Sequence, residues 1–139
     1  MKTLIILVSL LFSCTTSTEP LSLKYSVHIP KSVKESITLN KKSGEAFNID
    51  AIQQYKASHF EGWKECIIAY THGELNLNST PTIKQQWGFH REAETDGFNQ
   101  CKKLIFQKEK VYGKAKTKEY LTPISETYIQ ELTEELNKL

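Results

Sequence analysis

The chain has 139 residues, with 18 lysines and arginines against 16 aspartates and glutamates. That near balance gives no general reason to expect nucleic-acid binding, and its 39% hydrophobic and 24% charged content is ordinary for a soluble globular protein. Three cysteines and the absence of a CxxC or HExxH spacing argue against a standard zinc site.

Residues 1–14 read MKTLIILVSLLFSC. Lys2 starts the segment, and Leu4 to Phe12 form an apolar run broken only by Ser9. A membrane-spanning helix takes about 20 apolar residues, so this run has the length of a signal-peptide core instead. Leu11-Phe12-Ser13-Cys14 resembles the lipobox of bacterial lipoproteins. That resemblance implies cleavage before Cys14, acyl chains such as palmitate on its thiol and new amine, and a membrane partner held through the lipid. Several chains on one cysteine give attachment far more lasting than the reversible hold of one. Residues 1–13 are then a signal peptide and 14–20 a lipidated cysteine with a polar tether. Thr15 after the cysteine resembles the enteric-type signal for the outer membrane, facing the periplasm.

Residues 21–139 suit one small domain. Leu21, Leu23, Tyr25, Val27 and Ile29 alternate with polar residues, which predicts a strand ending at Pro30. Ser36 to Leu39 reads as a second short strand, joined by a hairpin through 30–35, and Lys41 to Gly44 as a turn. Asn48 or Asp50 caps a helix to about His72, with Ile49, Ile52, Tyr55, Phe60, Trp63, Cys66, Ile67 and Tyr70 at helical spacing and Gly73 as its stop. Asn76 to Thr82 reads as a loop. A second helix is expected from Ile83 to Lys110, weakened near Gly88. Tyr112 to Tyr120 reads as irregular, and Thr122-Pro123 as the start of a third helix carrying Ile124, Tyr128, Leu132, Leu136 and Leu139 on one stripe. The fold class is mainly α with a small β element (α+β): a helical hairpin, a C-terminal helix, and an N-terminal strand or short hairpin.

Glu61-Gly62-Trp63-Lys64-Glu65-Cys66 is echoed by Asp96-Gly97-Phe98-Asn99-Gln100-Cys101. The pattern resembles uncharacterised small bacterial proteins with repeated Gly-aromatic-x-x-Cys helices, a likeness that implies no activity. Glycine inside a helix costs about 1 kcal/mol against alanine, so two at matching positions point to close backbone approach. An antiparallel hairpin crossing at Gly62 and Gly97 puts its midpoint between Ser79 and Thr80, inside the loop. In that register Cys66 faces Ala93, Cys101 faces Ser58, and the two cysteines sit about 12 Å apart along the axis. A disulfide needs Cα atoms within roughly 7 Å. Export favours a Cys66–Cys101 bond, the register opposes it somewhat more strongly, and two buried free thiols are the alternative.

No catalytic set stands out: there is no G-x-S-x-G, and the carboxylates near Glu92, Glu94 and Asp96 read as solvated helix surface. The same register puts His59 by Gln100 and His90 by Ala69, so neither a metal nor another cofactor is indicated. Trp63, Trp87, Phe60, Phe89 and Phe98 read as core rather than a ligand pocket, with Trp63 partly exposed and its indole N–H seeking an acceptor. Lys102 to Lys118 hold seven lysines and one glutamate, whereas residues 119–139 hold five glutamates and one lysine. Packing of the acidic third helix beside the basic stretch is the favoured reading, and lysines facing anionic head groups near the anchor the other. The expected role is a lipid-anchored envelope protein that binds a protein partner or is structural, more readily than an enzyme. A small ligand binder or enzyme with a pocket between the two central helices is the alternative.

Overall fold

A computed structural model describes residues 20–36, 50–86 and 88–139. The signal segment with Cys14, the second expected strand beyond Ser36, the turn at 41–44, Ile49 and Trp87 lie outside the described residues. The chain is mainly helical: α1 (31–36), α2 (Asp50–Thr71), α3 (His90–Tyr112) and α4 (Lys114–Leu136).

The small β element is corrected. Among the described residues there is no strand. The alternation in 21–29 is nevertheless physical: Leu21, Leu23, Val27 and Ile29 are half-buried while Ser22, Lys24, Ser26 and His28 are exposed. Its apolar face lies on helices, with Leu23 against the larger core cluster and Val27 and Ile29 against the smaller. Without a neighbouring strand no ladder forms, and the Leu23 N–H donates to the Tyr120 hydroxyl at 3.4 Å. The expected hairpin through 30–35 is also replaced. Pro30 accepts the Lys34 N–H, and α1 follows with Val33 fully buried.

α2 ends as its sequence indicates. Gly73 takes φ +76°, and Glu74 N–H to Ala69 O with Gly73 N–H to Tyr70 O closes a Schellman motif. α3 begins seven residues later than expected. Gly88 takes φ +60°, a left-handed conformation that interrupts any helix running in from Ile83. Residues 112–120 are helical apart from Gly113, whose φ of 85° turns the chain from α3 into α4. Pro123 therefore sits inside α4 rather than at its start. The lysines and alanine of 114–118 are good helix formers, and one glycine is break enough.

The helical hairpin between the two central helices is corrected as well. Paired residues on α2 and α3 keep a nearly constant offset: Ser58 with His90, Cys66 with Cys101, Tyr70 with Glu109 and Tyr55 with Asp96 are 32, 35, 39 and 41 apart. A constant offset means the helices run parallel. The 72–89 connection runs back along them, with Ser79 at Lys102, Thr82 at Glu65 and Lys84 at Glu61. Its 18 residues reach about 60 Å when extended, ample to retrace a helix of about 33 Å. α4 lies antiparallel to α2: Lys114 is at Tyr70 and Tyr128 at Phe60.

The core gathers Trp63, Ile67, Tyr70, Phe98, Ile105 and Leu121 around the two cysteines. Trp63 is not partly exposed; it is 1% exposed. The seam of α4 is Thr117, Leu121 and Ser125, with Ile124 and Tyr128 half-buried. Leu136 and Leu139 of the expected stripe project into solvent beyond it.

Candidate functional site

The centre of the molecule is the glycine crossing. A Cβ built on Gly62 would overlap the Glu94 carbonyl, and one on Gly97 would overlap the His59 carbonyl. Each glycine thus packs on the backbone of the other helix, which is what a side-chain-free position permits. One turn beyond, Cys66 and Cys101 form a disulfide with Cα atoms 6.2 Å apart. The antiparallel register is overturned here: Cys66 does not face Ala93, nor Cys101 Ser58, and no 12 Å separation arises.

Polar side chains flank the crossing on both sides. On one, Ser58 and His90 are both buried, with Oγ and Nδ1 2.5 Å apart. Glu94, also buried, accepts the Lys84 N–H at 3.2 Å. Glu61 pairs with the buried Lys64 at 2.6 Å and with Lys84 at 3.5 Å. Ala57, Ser58, Glu61, Lys84, Gln85, His90 and Glu94 line a groove of about 230 Å³. These contacts bind the returning loop to both helices. The carboxylates around Glu94 are therefore not all solvated surface.

On the other side, the Tyr25 hydroxyl meets His59 Nδ1 at 3.0 Å, Tyr55 donates to Asp96 at 2.6 Å, and Gln100 donates to Ser26 at 2.9 Å. Burial pushes the His59 imidazole below its ordinary range, against the opposing pull of Asp96 and Gln100. Burial likewise raises Tyr55, reinforced by its bond to Asp96.

Compared with family models, curated proteins and solved structures, the chain matches none.

Ser58 and His90 have the reach of a nucleophile and its base. Ser58 lies within α2, where backbone N–H groups are committed to the helix ladder, and His90 opens α3. The pair joins α2 to the start of α3. Among the described residues no group of three His, Cys, Asp or Glu side chains could hold a metal ion, and no helix is long and apolar enough to cross a membrane. The Ser58–His90 contact was missed at the sequence level because it appears only in a parallel register.

Charge is arranged differently from the favoured reading. No ion pair joins the 102–118 lysines to the acidic part of α4 among the described residues. Because α4 runs antiparallel to α3, Lys108, Lys110, Lys114, Lys116 and Lys118 surround the Gly113 end and Glu126, Glu131, Glu134 and Glu135 the other.

Proposed function

We propose that this chain is a bacterial envelope lipoprotein, held to a membrane by acyl chains on Cys14, whose helical part binds an envelope protein or is structural. The observation that carries this reading is the Cys66–Cys101 disulfide. Disulfides persist in oxidising compartments, which accords with export. Pairing of those two leaves Cys14 as the third cysteine, and Cys14 is the one that closes the LFSC motif. Thr15 after it supports an outer-membrane location facing the periplasm in a two-membrane organism. A module closed by a glycine crossing, a disulfide and a buried tryptophan presents a rigid surface, which suits binding better than a reaction that needs a deep pocket. Intact-mass analysis of the mature protein tests the reading. A mass beginning at Cys14 with added acyl chains is expected; an unmodified Cys14 overturns it.

A ligand site between the central helices is the second reading, and the groove beside Ser58 and His90 is what favours it. Labelling of Ser58 by a fluorophosphonate would support it. No labelling above that of Ser58→Ala is expected.

A further inference from the structure

The 21–30 segment has a direction. Leu23 is bonded to Tyr120, Tyr25 packs on Phe60 and Trp63, and Val27 and Ile29 reach the cluster of Ala51 and Tyr55. As residue numbers fall, the chain climbs toward the C-terminal end of α2 and the start of α4. From Leu23 back to Pro20 it covers about 10 Å if extended, the same rise that separates Tyr120 from Gly113 along α4. The described N-terminal segment therefore heads toward the Gly113 end.

That end carries the exposed lysines Lys110, Lys114, Lys116 and Lys118. Val111 stands 64% exposed among them. The acidic residues near this end are Glu74, Glu109 and Glu119, and Glu109 is engaged by the Tyr70 hydroxyl. The glutamates of the last α4 turns lie at the opposite end. We propose that the lysine-rich end of the bundle, around Gly113, rests on the anionic phospholipid surface to which Cys14 is anchored.

This inference rests on the lipoprotein reading and adds the surface and its partner. Clustered lysines next to a membrane attachment point are drawn to anionic head groups within a Debye length, and an exposed apolar side chain among them adds interfacial contact. Nine residues from Cys14 to Leu23 span at most about 30 Å, so the tether keeps this end close to the lipid. The acidic end then points away, where repulsion from the same head groups favours it.

The test uses the full mature protein reconstituted in vesicles of phosphatidylcholine, with and without phosphatidylglycerol. An amine-reactive acetylating reagent and mass spectrometry read each lysine. Labelling of Lys110, Lys114, Lys116 and Lys118 should slow several-fold when phosphatidylglycerol is present and recover in high salt. Lys31, Lys56 and Lys138 should not change. The triple variant Lys110→Gln, Lys114→Gln, Lys116→Gln, all at exposed positions, should lose the protection at Lys118. Protein that partitions with both vesicles yet is labelled evenly overturns the lysine face alone. Protein that partitions with neither overturns the anchor, and this inference with it.

Discussion

Cys66 and Cys101 stand at equivalent heights on two parallel helices, one turn beyond the place where Gly62 and Gly97 bring the backbones together. The disulfide and the crossing are thus one feature. The glycines set a distance that the cysteines close, and both follow from a direct repeat in which glycine precedes cysteine in each copy.

Gly62→Ala and Gly97→Ala should each destabilise the protein by about 3 kcal/mol, because the new methyl would overlap backbone rather than a side chain able to turn aside. Gly73→Ala meets no atom within 4 Å and bears only the strain of φ +76°, about 1 kcal/mol. Urea unfolding of the three variants measures the contrast. Equal losses would show that the helices do not touch at the crossing.

Replacing both Cys66 and Cys101 by serine should cost about 4 kcal/mol, the chain-entropy value for a bridge closing a segment with sequence separation 35. The same shift should appear on adding reductant to the parent protein and be absent from the double variant. A reductant effect of equal size in both would place it elsewhere.

Acid should weaken the fold through His59. Burial holds its folded value below that of the unfolded chain, near 6.5, so the unfolded state takes up a proton first. Stability attributable to His59 is complete above about pH 7 and declines as pH falls through 6.5 toward the folded value. His59→Asn should flatten that part of the profile of urea midpoint against pH. An unchanged slope would exclude His59 as its source.

Alkali should weaken the fold through its tyrosines. Burial raises Tyr55 and Tyr70 above the usual value near 10, helped by donation to Asp96 and Glu109, and Tyr25 and Tyr128 shift the same way. The unfolded chain then loses protons first, so stability falls as pH rises past 10. Absorbance titration of tyrosinate should show a cooperative rise at unfolding, and Tyr70→Phe should reduce the slope of stability above pH 10.

Periodicity and turn chemistry made much of this molecule legible beforehand. The helix over residues 50–71, its stop at Gly73, the loop from Asn76 to Thr82 and the buried face through Tyr55, Trp63, Cys66, Ile67 and Tyr70 all follow from local rules. The alternation in 21–29 located an apolar face at Leu21, Leu23, Val27 and Ile29, with Tyr25 of the same set left 37% exposed, but alternation records only which side is buried, not whether a strand or a helix covers it. The agreement of the 62–97 midpoint with the loop was uninformative, since the midpoint of two copies falls in whatever joins them, whichever way the helices run. The identical order of glycine and cysteine in both copies was the better guide to direction. It matches both pairs at once only when the helices are parallel.

What the amino-acid order settles by itself is therefore local: where helices form, where glycine breaks them, which faces are apolar, and that two glycines need a close neighbour. Relative direction, the disulfide's geometry, the Ser58–His90 contact and the gathering of lysines at one end were decided by tertiary structure. Each depends on an 18-residue connection doubling back rather than turning. Loop closure costs little more for a long connection than a short one, so the choice falls to packing, which the parallel arrangement satisfies by burying both glycines and both cysteines together.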